Sequence, residues 1–319
     1  MAKPLTSVKR CYVVLLWLAL LATFAPFVVR CVRGIRAPYE LDYGEGVILW
    51  QVAHIFNLKE AFGTMQKVPY MVFHYTPLYH VLSRLAGSIV GDRLVAGRLI
   101  SFLSALAIGV ILGRLVFRCL PARIPAPLRL AGAATGGLIC YSLETMQWMR
   151  FMRVDGLALA LSFLGLYWFI VGLRRPVLEY AAFFCFFLAI FTKQTMLAAP
   201  AACSLAAMVA NPKRSLRLIL LLASCGLVTL AVLMYATDGR VVQHWILYNN
   251  RNPFSLSRLY KLLRYNILSM KVLAILAGSQ IIGYWYRFAS FSPSAGFARI
   301  RAGLQHSLNR RSHYCPANA

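Results

Sequence analysis

Three carboxylates stand within six positions of PYELDYGEGVILW (residues 38–50): Glu40, Asp42 and Glu45. The whole chain carries only 9 acidic residues against 34 Lys and Arg, so a third of its acids are concentrated here. Asp42 and Glu45 are three apart and share a face if a helix begins near Asp42. Two roles suit that pattern. A carboxylate can accept the proton of an attacking hydroxyl as a general base. Alternatively, Asp42 caps the helix and Glu45 completes a capping-box-like arrangement. Capping uses one acid or two and leaves Glu40 over, and both roles can coexist on one residue.

Cations recur near the ends of apolar runs. In MRFMRVDGLALALSFLGLYWF, Arg150, Arg153 and Asp155 crowd the mouth of such a run. Arginine is always charged and makes paired hydrogen bonds, which suits it to a phosphate; the plainer reading pairs it with Asp155 and lipid headgroups. FTKQTMLAAP sets Lys193 and Gln194 between two apolar runs, where an unpaired ammonium is costly unless it serves a site or snorkels to the surface. Arg98 in AGRLISFLSAL and Arg251 in YNNRNPFSLSRLYKLLRY extend the series. VFHYTPLYHVL supplies His74, Tyr75 and His80, as membrane-interface anchors or as contacts to a polar substrate. The spacing of His54, His74, His80 and the acids matches no ligand motif, so no protein-built metal site is expected. Whether a divalent cation serves as cofactor stays open. The eight cysteines are scattered without Cys-x-x-Cys spacing and read as small hydrophobes.

Hydrophobic residues make up 60% of the 319 positions and charged residues 13%. Apolar runs of about 18 or more recur, the length that crosses a bilayer as helix. The expected fold is all-α: a polytopic transmembrane bundle of about eight spans, at 11–29, 94–117, 128–147, 156–173, 177–192, 195–210, 216–236 and 268–286. The net charge of +25 punctuates those spans, which argues against nucleic-acid binding. No basic amphipathic arm stands out. The short basic loops alternate correctly if the amino terminus is cytoplasmic. Residues 30–93, the turn before Asp155, TKQT and 237–267 then share the outer side with all the acids except Glu179. EGVILWQVAHIF and PLYHVLSRLAGSIV read as interfacial helices roofing the membrane in the first outer loop. Residues 287–319 form a polar cytoplasmic tail after a transmembrane module of residues 1–286.

The acidic motif after the first span, the interfacial helices, HYTPLY, GRLISFLSAL, RVDGLALALSFLGLY and AIFTKQTMLAAPAA together resemble bacterial membrane glycosyltransferases of the GT-C superfamily. Within it, the resemblance is to glycosyltransferase family 39 and the aminoarabinose and protein mannosyl transferases, over about residues 10–265. It implies a multi-pass protein of the bacterial inner (plasma) membrane that transfers a sugar, with inversion, from a polyprenyl-phosphate donor to an acceptor glycan, lipid or protein on the periplasmic face. Asp42 maps to the catalytic acid of the first outer loop, Glu45 is the next candidate and Asp155 matches a second acid. Arg150, Arg153 and Lys193 match carrier-phosphate contacts; Gln194, His74, Tyr75 and Arg98 complete the substrate-binding candidates. Family members are generally longer, so the chain is expected to lack carboxy-terminal parts. Two other classes remain: a transporter or flippase for a lipid-linked anion, and a non-catalytic membrane subunit.

Overall fold

The computed structural model of the chain describes residues 7–66, 68, 70–122, 124–172, 176–248 and 255–269. It is all-helical, with no strand among the described residues. The helices are α1 (Ser7–Arg36), α2 (Tyr43–His54), α3 (Leu58–Ala61), α4 (Leu78–Val90), α5 (Arg93–Cys119), α6 (Ala126–Leu138), α7 (Glu144–Gln147), α8 (Val154–Gly172), α9 (Pro176–Thr192), α10 (Ala198–Ala210), α11 (Pro212–Ala236), α12 (Arg240–Val242) and α13 (Leu256–Ser269).

Among the described residues, three helices are long and apolar enough to cross a membrane: α5, α8 and α11. Residues 177–192 and 198–209 are apolar but shorter. The chain is thus of membrane-protein type by length and composition, with three qualifying helices where about eight spans were expected. The expected span at 128–147 divides: α6 stops at Leu138 and gives way to a 3₁₀ turn, Ile139–Ser142, and then to the single turn of α7. Gly136 and Gly137 are poor helix formers at that break. The expected span at 268–286 and the tail from 287 lie outside the described residues beyond Ser269, as does Arg251. FTKQT is a tight connection, in which α9 ends at Thr192 and α10 begins at Ala198.

Local chemistry sets several boundaries. The Asp92 carboxylate accepts from the N–H groups of Leu94 (2.7 Å) and Val95 (3.1 Å) and so caps α5. Asn211 accepts from Arg214 N–H at 3.1 Å, with Pro212 at the first helical position, so α11 starts four residues ahead of the expected 216. α5 and α6 pack through small residues spaced four apart, Gly109 with Gly113 and Ala133 with Gly137. A Cβ added at Gly137 would lie 2.5 Å from the Gly109 carbonyl oxygen. Backbones come this close only where side chains are absent.

Both helices expected in the first outer loop form. They are built into the protein through one face each: Ile48 and Val52 of α2 and Tyr79 of α4 pack with Leu94, Met152 and Val154. Gln51 ties this layer together. Its amide donates to the Val72 carbonyl (2.9 Å), and its oxygen accepts from His80 Nε2 (2.9 Å). The residues between α1 and α2, the starts of α5 and α8, and the end of α9 therefore meet at one end of the bundle.

Candidate functional site

Glu45 and Arg98 have no solvent exposure. Arg98 donates from Nε (2.8 Å) and Nη2 (2.7 Å) to the two oxygens of Glu45, from Nη1 to the carbonyls of Gly34 (2.8 Å) and Ala37 (2.7 Å), and from Nη2 to that of Tyr39 (2.8 Å). All five of its N–H donors are used. Glu45 also accepts from the N–H groups of Met152 and Leu41, each at 2.7 Å. Burial pushes the Glu45 carboxyl up, but Arg98 and these two N–H groups outweigh it and leave its pKa below the ordinary value. The pair locks the loop between α1 and α2 onto α5 and the start of α8. Glu45, a second catalytic candidate by sequence, and Arg98, a substrate-binding candidate, are thus fully engaged with one another and with backbone groups.

Asp42 sits differently. Its side chain accepts from Gly44 N–H at 3.1 Å, the cap of α2, and also pairs with Arg153. Asp42 thus caps α2 and pairs with a cation at once, while Glu45 reaches past the cap to the N–H of Leu41, where a capping box would use that of Asp42. The Arg153 guanidinium lies 5.5 Å from the centre of the Trp148 ring and 6.0 Å from that of Tyr43, within cation–π range. A Cβ on Gly44 would sit 2.7 Å from this guanidinium, so glycine is what admits it. Ser101 fixes the Arg153 backbone from α5, donating to its carbonyl at 3.1 Å and accepting from its N–H at 3.3 Å.

Two residues on, Asp155 accepts from Lys193 Nζ at 2.5 Å. The ammonium is also 5.5 Å from the centre of the Tyr75 ring. Gln194 donates to the His74 carbonyl at 2.7 Å, and burial holds the His74 imidazole below its ordinary pKa against a contact with the Val72 backbone. The patch is thus two ion pairs, Asp42–Arg153 and Asp155–Lys193, anchored two residues apart at the start of α8, the second with Tyr75 against it and with Gln194 and His74 next to those residues in the chain. Arg150, three residues before Arg153, packs against Gly34, its guanidinium 4.6 Å from the centre of the Phe151 ring. The buried Nε of Arg150, Nε of Arg153 and Oε1 of Gln194 have no hydrogen-bond partner among the described residues. The two ion pairs balance in charge, Arg150 adds a cation three residues before Arg153, and the unpartnered Nε donors of Arg150 and Arg153 suit an anionic ligand such as a phosphodiester.

No family model, curated protein or solved structure matches this chain.

Two adjoining apolar cavities lie along α9 and α11. A cavity of about 570 Å³ between α9 and α11 is walled by Tyr180, Phe183, Phe187 and Val228. It shares Phe187, Leu222 and Thr229 with a second cavity of about 300 Å³ that reaches Thr76, Leu197 and Trp245. Thr76 follows Tyr75, and Leu197 lies in the same α9–α10 connection as Lys193. On another side, Glu40, Trp50, Asp92 and Arg93 line a polar cleft of about 610 Å³. The histidines do not gather: His54 pairs with Glu60 at 3.2 Å, and His80 is buried against Gln51. Among the described residues no three His, Cys, Asp or Glu are placed to hold a metal ion.

The sequence reading missed His244 and Trp245. They lie on a π-helical turn, Gln243–Leu247, a form that recurs at functional sites. Trp245 donates to the Tyr75 carbonyl at 3.2 Å. His244 Nδ1 accepts from Phe73 N–H at 3.0 Å, so its other nitrogen donates to Gly63 O at 2.9 Å. Burial is the chief reason the His244 pKa lies below its ordinary 6.5, with His74 and Arg240 pressing the same way. As pH falls past 6.5 the opened segment therefore takes up a proton before the closed one, and opening becomes easier. Hydrogen exchange at residues 70–76, corrected for its intrinsic pH dependence, is expected to quicken from about pH 7 to about pH 5, and His244→Gln is expected to flatten that response.

Proposed function

We propose that the chain is a glycosyltransferase of the GT-C type, a multi-pass protein of the bacterial inner membrane with a cytoplasmic amino terminus and more spans than the three helices that qualify by length. It moves a sugar from a polyprenyl-phosphate donor to an acceptor hydroxyl on the extracytoplasmic face, with inversion. The observation that carries this reading is the patch itself: carboxylates and cations from three separate stretches pair off at the start of α8, and an apolar groove reaches Thr76, the neighbour of Tyr75. The groove suits an isoprenoid chain, the cations suit its phosphate, and the polar cleft beside Glu40 offers an approach for the acceptor.

In the transfer step the acceptor oxygen attacks the anomeric carbon, the bond from that carbon to the phosphate oxygen breaks, and polyprenyl phosphate leaves. Asp42 takes the hydroxyl proton. Fixed cations facing the leaving phosphate stabilise charge where it develops. Asp42 and Asp155 are each held by a cation, so a phosphate that binds Arg153 and Lys193 replaces those carboxylates and releases them. Donor binding thereby makes the base competent.

The pairing also favours a second reading. A flippase for a lipid-linked anion would bind phosphate with the same cations and needs no free base. Labelled polyprenyl-phosphate sugars given to the full chain in proteoliposomes separate the two. Sugar appearing on an acceptor supports transfer. Donor crossing the bilayer with its sugar still attached supports the flippase and overturns the enzyme.

A further inference from the structure

We infer that α13 is a docking element for anionic membrane surface, on the same side of the bilayer as the candidate site. Its sequence, LSRLYKLLRYNILS, contains three cations, and no acidic residue follows Asp238 anywhere in the chain. At 3.6 residues per turn, Leu256, Leu259, Tyr260 and Leu263 fall on one face, Arg258 and Lys261 fall opposite it with Tyr265 between them, and Arg264 and Leu262 lie on the two flanks. Those four apolar side chains are 73%, 42%, 65% and 50% exposed. An apolar stripe flanked and opposed by charges of positive sign only is the pattern of a helix lying in the headgroup plane. The charge pattern selects anionic lipid as the occupant: a protein groove would satisfy the apolar stripe alone, whereas an anionic bilayer satisfies both at once.

The side follows from chain geometry. Asp238 pairs with Lys59 at 3.2 Å, and His244 and Trp245 bond to Phe73 and Tyr75, so residues 238–248 belong with the first long loop and the site patch. From Tyr248 to Ser255 is seven residues, which reach at most about 25 Å, short of the ~30 Å hydrocarbon layer. α13 therefore starts on the face where the patch opens. Cations there raise the local concentration of any anionic lipid headgroup around the patch.

The test is hydrogen exchange of residues 256–269 in the full chain, in nanodiscs of phosphatidylcholine alone and of phosphatidylcholine with phosphatidylglycerol. We expect exchange at least about tenfold slower in the anionic discs, since each cation near such a surface contributes a several-fold effect. The variant R258Q/K261Q/R264Q is expected to remove the difference, with exchange in α5 unchanged as the control for folding. Equal wild-type exchange in the two discs overturns the proposal without any variant. A difference that survives neutralisation overturns it too.

Discussion

Asp42→Asn is expected to lower the rate of sugar transfer by about 10²- to 10⁴-fold, the usual contribution of a positioned general base. The substitution is selective because Asn keeps the capping oxygen toward Gly44 N–H and is itself a favoured cap, so α2 should stay folded. What it removes is the charge that accepts the proton and that pairs with Arg153. With that competitor gone, Arg153 is freer to hold phosphate. Donor affinity should therefore hold or tighten while kcat collapses, a split that damage to the fold would not produce. Asp155→Asn should likewise tighten binding of decyl phosphate, a short probe of the lipid phosphate, by releasing Lys193. Lys193→Met should weaken it. Transfer unchanged in Asp42→Asn removes the base from the scheme. Phosphate binding that weakens in both Asp variants removes the exchange of ion pairs, even if transfer itself is real.

The helical fold was legible because its signals are local. Long apolar runs and the apolar spacing in EGVILWQVAHIF each act within a few residues, as does the cap of Asn211 ahead of Pro212, which the span begun at 216 overlooked. The number of membrane-length helices was less legible, since hydropathy scores 128–147 as one run and does not register that the α-helix stops at Leu138. Within the site, residue types located the participants but not their partners. Glu45 and Asp42 look equivalent in DYGEG, and only the approach of Arg98, 53 positions away, separates a buried structural acid from the one at the patch. A signal did exist. An arginine inside an apolar helix must be paired, and Glu45 was among the few acids in reach. His244 left no such mark, because its role is to fill two backbone groups of a distant loop. α13 was passed over because its cations were counted with the outer-side arginines instead of being placed on a helical wheel.

Arg98→Met is expected to destabilise the protein by about 3 to 5 kcal/mol, the cost of stranding a buried charge. Glu45→Gln should cost a comparable amount, since its amide N–H₂ would face an Arg98 or backbone N–H donor where an oxygen now accepts. Replacing a buried ion pair with apolar residues is often neutral, but here it should not be. The double variant Arg98→Met/Glu45→Leu also orphans the carbonyls of Gly34, Ala37 and Tyr39 and the N–H groups of Leu41 and Met152, each worth about 1 to 3 kcal/mol when buried without a partner. It should stay well below wild type, yet lose less than the two single variants combined, because the residues share one network. Arg98→Lys separates charge from geometry: an ammonium has three donors for five bonds, so it should rescue only in part. Denaturant titration in mixed micelles, followed by tryptophan fluorescence, reads each case. Acid should mimic the loss. The Glu45 pKa is depressed below its ordinary 4.5, so its contribution is complete above that pH and fades as pH falls through the lower folded value, the unfolded chain taking the proton first. In Glu45→Gln that acid-sensitive component should disappear; if it remains at full size, the acid sensitivity arises elsewhere and the pair is not what holds the loop between α1 and α2.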